Sequence, residues 1–92
     1  MSRAFVNEDA GHEPEPEYRL PDPDSDFYDE AAAAALIEGA NVGNTQSAEA
    51  ATGYRWGNPH LKPHIERILE KATEEGDERT AQLARRYLRA AG

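Results

Sequence analysis

The 92-residue chain has no cysteine, one methionine, one tryptophan and two phenylalanines. Without cysteine there is no disulfide framework and no thiolate zinc site. No stretch approaches the roughly 20 consecutive apolar residues that span a bilayer. The opening MSRAFVNED carries no apolar core of the signal-peptide kind. These absences predict no membrane partner and a cytoplasmic location. A glycine-rich phosphate loop, a nucleophile elbow and a zinc motif are also missing. Large apolar side chains are scarce, and a chain this short buries only about 60 to 65 per cent of its unfolded surface, so modest stability is expected.

Basic residues are nearly absent from the first third. Residues 1–30 hold ten carboxylates against Arg3 and Arg19, a net charge of −8 that equals the charge of the whole chain. Residues 31–92 hold eight acidic and eight basic side chains. Three of the six prolines fall within EPEPEYRLP. Proline and like-charge repulsion favour an extended backbone, and such a segment buries too little apolar surface to offset its ordering entropy. Residues 1–24 are therefore read as an extended acidic, Pro-rich arm, and residues 25–92 as the folded domain.

That domain is rich in helix formers and repeats itself. LIEGANVGNTQSAEAATGY at 36–54 returns as LEKATEEGDERTAQLARRY at 69–87, offset by 33, with Leu36, Gly43, Ala48, Ala51 and Tyr54 matching Leu69, Gly76, Ala81, Ala84 and Tyr87. Each copy reads as a helix, a tight turn and a second helix. Glycine takes the left-handed conformation that ends a helix, and Asn44 or Asp77 caps the next one. Ser25 or Asp26 is expected to cap the first helix, whose alanine run has the best intrinsic propensity. Ile65, Ile68, Leu69 and Ala72 form one apolar stripe, and Ala81, Ala84, Leu88 and Ala91 the facing one. The expected fold is all-α: two antiparallel hairpins, four helices, spanning about 26–56 and 59–91.

GNTQSA and GDERTA resemble the turn of tetratricopeptide-type repeats, in which a Gly, an Asp or Asn, and an Ala five residues after the Gly join two antiparallel helices. The resemblance implies hairpin geometry over residues 31–91. It departs from the pattern where a large aromatic is expected, since Thr52 and Arg85 stand there and a tyrosine follows two residues later. SRAFVNED is similar to a head found on short bacterial proteins, some related to Gre-type transcription factors. That likeness implies a bacterial origin and a shared docking arm; the long coiled-coil hairpin that gives Gre factors their activity is missing.

Candidate partner-binding residues follow from type and clustering. Phe5 and Val6 are the apolar residues of the head. Tyr54, Arg55 and Trp56 are the residue types that dominate interface hot spots, although Trp56 also suits a staple between the hairpins. Arg79, Arg85, Arg86 and Arg89 follow Glu78 with no acid among them, a basic face that suits the negative end of the helix dipole. His60 and His64 are four apart, but Pro63 belongs in a first helical turn and no third ligand has a useful spacing. No cofactor, metal or catalytic residue is expected. The leading reading is a non-enzymatic helical adaptor for a protein partner. The alternative is a nucleic-acid- or transcription-associated accessory protein using the arginine helix, with the acidic arm as competitor. A two-repeat array exposes apolar ends, which predicts a two-fold homodimer, a low-melting monomer, or a cover formed by Phe5, Val6, Tyr18 and Leu20.

Overall fold

A computed structural model describes Tyr18 and residues 20–92. Among the described residues the fold is all-α. Helices α1 (Tyr28–Asn41) and α2 (Thr45–Thr52) form one antiparallel hairpin, and α3 (Lys62–Glu75) and α4 (Glu78–Ala91) form the other. A 3-10 turn, Pro59–Leu61, precedes α3. No helix among the described residues is long and apolar enough to cross a membrane.

The repeat is visible in the turns bond by bond. Gly43 and Gly76 both have φ of 75°, the left-handed conformation that a side chain with a Cβ rarely adopts. The amide of Asn44 donates to the Gly39 carbonyl at 2.7 Å, and that of Asp77 to the Ala72 carbonyl at 2.8 Å. The glycine amides donate to Ala40 and Thr73. These paired bonds close the ends of α1 and α3 in the Schellman arrangement. Asn44 Oδ1 then accepts from the Ser47 amide at 3.2 Å and Asp77 Oδ1 from the Thr80 amide at 3.1 Å, capping α2 and α4. The hydroxyl and amide of Thr80 together hold the Asp77 carboxyl below its ordinary pKa. Each of these bonds in one turn has its counterpart 33 residues on.

The start of α1 differs from expectation. Ser25 Oγ accepts from the Phe27 amide at 3.1 Å, and the Ser25 carbonyl from Tyr28, so the serine closes a turn that precedes the helix. Phe27 takes the cap position without a side-chain bond. Asp29 and Glu30 in the first turn complement the positive end of the helix dipole. Pro63, by contrast, lies in the first turn of α3, where a missing amide costs no helical bond.

Helix α1 is the centre of the molecule and packs on α2, α3 and α4. Ala32, Ala33, Ala35, Leu36, Ile37 and Gly39 are all buried while Ala34 and Glu38 are exposed, so the buried face is a broad arc and not a narrow stripe. The alanine run thus lets three neighbours approach one helix. A close approach occurs at Gly39, where a Cβ would stand 2.7 Å from the Ala48 Cβ and 3.1 Å from the Asn44 carbonyl oxygen. Leu61, Ile65, Leu83, Ala84 and Tyr87 complete the core, with Ile68, Leu69, Leu88 and Ala91 half-buried against it. Tyr18, which the sequence reading places in the arm, also packs against this core.

Candidate interaction surface

The segment between the hairpins, Gly53 to Asn58, has no regular structure, yet its polar groups are bonded to helices on both sides. The Tyr54 amide donates to Thr52 Oγ1 at 3.1 Å, and the Trp56 amide to Glu49 Oε2 at 2.8 Å. Tyr28 in α1 donates its hydroxyl to the Thr52 carbonyl at 2.8 Å. From the other hairpin, Tyr87 donates to the Asn58 carbonyl at 2.9 Å and meets the Trp56 ring edge-on with centroids 4.9 Å apart. Gly57 lies against Ala90, leaving room for no further side-chain atom without a shift. The connection therefore fixes the second hairpin to the first.

One polar cluster strengthens that connection. Tyr54 donates its hydroxyl to Asp29 Oδ1 at 2.5 Å, while His60 Nε2 lies 2.9 Å from Asp29 Oδ2. The two rings stack with centroids 5.9 Å apart. The Tyr54 hydrogen bond is the main influence holding the Asp29 carboxyl below its usual pKa; desolvation opposes it, and the hydrogen bond and charge of His60 add to it. The same bond pushes the Tyr54 phenol up to about 12. Both carboxylate oxygens are engaged, and the phenol is a poor acid. Sequence reasoning missed this cluster because its partners are 25 and 31 residues apart.

The nominated residues fall into three groups. Tyr54 and Trp56 are half-buried in contacts within the chain, whereas Arg55 between them is exposed. Phe5 and Val6, with the SRAFVNED head, lie outside the described residues. Arg79, Arg85, Arg86 and Arg89 are all exposed on α4, but they are not equivalent. Arg79 Nε donates to Asn41 Oδ1 at 3.0 Å and ties the start of α4 to the end of α1. Arg85, Arg86 and Arg89 border one shallow depression with Gln82 and make no ion pair or hydrogen bond among the described residues. They point away from the core because Ala81, Ala84, Leu83 and Tyr87 occupy the opposite face.

A second open groove, of about 390 Å³, runs between α1 and α3. Ala34 and Ile68 give it an apolar floor, and Glu30, Arg67, Glu70 and Lys71 a rim of both signs. His64 lines it, with Nδ1 buried and without a hydrogen-bond partner among the described residues. His60 and His64 thus serve different surroundings, and no group of three or more His, Cys, Asp or Glu is placed to hold a metal among the described residues. No family model, curated protein or solved structure matches this chain.

Proposed function

We propose that the chain is a small non-enzymatic helical adaptor that binds a protein partner through the outer face of α4. The observation that carries this reading is the set Arg85, Arg86 and Arg89. Three guanidinium groups stand side by side on a fixed frame, with no acidic partner among the described residues, in a chain of net charge −8. Guanidinium presents planar paired donors to carboxylates, so an acidic protein surface suits this face. Three arginines are few for a phosphate track, which neutralises many phosphates at once. Against an enzymatic role, the polar side chains that converge most closely, Asp29, Tyr54 and His60, are bound to one another.

Affinity capture from a lysate of the source organism tests the reading. The full chain and its R85Q/R86Q/R89Q variant are compared before and after nuclease treatment. The adaptor reading expects a protein retained by the full chain after nuclease and lost from the variant. Capture of nucleic acid, with affinity falling steeply as salt rises, would favour the accessory-protein reading instead. Equal retention of every captured protein by both forms would remove α4 as the site.

A further inference from the structure

The arginine row on α4 runs beside an acidic row on α3. Glu66, Glu70 and Thr73 stand at i, i+4 and i+7 of α3, a spacing that keeps them on one face, and all three are exposed, with Glu70 also bordering the groove beside α1. Gln82, Arg85 and Arg89 stand at i, i+3 and i+7 of α4 and are exposed as well. The spacings are reversed between two antiparallel helices, so the rows keep step. The turn at Gly76 and Asp77 sets the level at one end, and at the other Lys62 Nζ donates to the Gly92 carbonyl at 3.5 Å. Between these ends Thr73 stands level with Gln82, Glu70 with Arg85 and Glu66 with Arg89, each to within about 3 Å of rise.

Within one chain these charges do not meet. None of Glu66, Glu70, Arg85 and Arg89 makes an ion pair or hydrogen bond among the described residues. Axes of packed helices lie about 8 to 10 Å apart, and side chains on their outer faces diverge. A second copy, turned about a two-fold axis parallel to the helices, lays its α3 antiparallel on α4 of the first at an unchanged level. Glu66 of each copy then meets Arg89 of the other, Glu70 meets Arg85, and the neutral Thr73 meets the neutral Gln82. One operation pairs both rows twice, as an isologous contact requires. Residues 31–92 carry no net charge, so the folded parts do not repel one another as wholes. Exposed ion pairs each contribute little, and helices of 14 residues span only about 21 Å, so the contact belongs to the small, transient class of interface.

We infer that the α3–α4 face is a weak two-fold self-association surface, and that the acidic protein recognised by α4 is a second copy of this chain. The inference rests on reading α4 as a protein-binding face and names the partner. Sedimentation equilibrium of the full chain at up to about 1 mM, where weak associations are populated, tests it by charge reversal. The native chain is expected to form reversible dimers. R85E/R89E and E66K/E70K should each weaken association by about tenfold or more. An equimolar mixture of the two should regain it, because every charged rung between unlike copies again joins opposite signs. Circular dichroism checks that each variant keeps its helices; if a reversal does not, R85Q/R89Q and E66Q/E70Q should show the same loss of association. A native chain that stays monomeric over the whole range would overturn the inference. So would dimers that the substitutions leave intact, or a mixture of folded reversal variants that stays monomeric. Any of these failures leaves the adaptor reading standing with a protein of different sequence as partner, since that reading falls only if R85Q/R86Q/R89Q retains every captured protein.

Discussion

The two hairpins share a turn but not a construction. Their turns superimpose donor for donor, yet α2 has 8 residues and α4 has 14. Gly53 ends α2 immediately after Thr52, whose hydroxyl bonds back to the Ala48 carbonyl and accepts from the Tyr54 amide. Tyr54 therefore leaves the helix and reaches Asp29, while its counterpart Tyr87 stays in α4 as a fully buried core side chain. Ala51 is exposed where Ala84 is buried, and Leu36 is buried where Leu69 is only half so. The same residue at the same repeat position meets different surroundings, because the central helix α1 belongs to one copy and packs on both. One copy supplies the hub and the connection; the other supplies the long amphipathic pair and the arginine face.

The largest test of this contrast uses the matched tyrosines. Tyr87→Ala empties a fully buried site and should cost about 3 to 5 kcal/mol, whereas Tyr54→Ala at the half-exposed position should cost about 1 kcal/mol. Urea unfolding monitored by circular dichroism measures both. Equal losses would mean that the two copies are energetically alike after all.

The helix crossings come next. Gly39→Ala places a methyl against Ala48 and the backbone of Asn44 and should destabilise by about 1 to 3 kcal/mol. Ala72→Gly, at the corresponding position in the second copy, should cost about 1 kcal/mol through helix propensity, with the lost burial of its methyl adding to that. A neutral Gly39→Ala would show that α1 and α2 are less tightly apposed than the structure has them. At the turns the copies should instead behave alike. Gly43→Val and Gly76→Val each impose left-handed strain and should each lower stability by about 1 to 2 kcal/mol, so a large difference between their urea midpoints would break the turn equivalence.

The elements legible in sequence are those governed by local chemistry. Gly43 and Gly76, the Asn44 and Asp77 caps, the Pro63 first turn and the stripes of α3 and α4 all depend on neighbours within a few residues. Leu83 and Tyr87 were absent from the expected stripe because α4 is covered by α1 as well as α3, which widens its buried arc. The Ser25 cap was misplaced because a serine closes a preceding turn as readily as it caps a helix. The Asp29, Tyr54 and His60 cluster and the seating of Tyr18 depend on tertiary placement and have no local signature. Of the candidate site, the arginines were legible as a group; that Arg79 is tied to Asn41 while the other three have no ion pair or hydrogen bond among the described residues was not.

A smaller effect probes the connection through pH. Asp29 has a folded pKa below its unfolded value, so its contribution is complete above about pH 4 and is lost as pH falls through the lower folded value. Tyr54 shifts the other way: its contribution is complete below about pH 10 and is lost as pH rises through about 12. Tyr54→Phe should therefore be less stable than the native chain at neutral pH, by about 1 kcal/mol, and the urea midpoints should converge at both pH extremes. A gap that persists in acid and alkali would assign the effect to packing and not to the hydrogen bond.

The account depends most on the connection being a fixed bridge, since only then does α4 hold its arginines in a constant relation to the rest of the chain. Backbone hydrogen exchange at Tyr54, Trp56 and Asn58 reads this directly, because their amides are bonded to Thr52 Oγ1, Glu49 Oε2 and the Arg55 carbonyl. The expected result is protection comparable to that of amides within α3. Exchange at unprotected rates, with α3 and α4 still protected, would show two hairpins joined by a free hinge and would contradict the account.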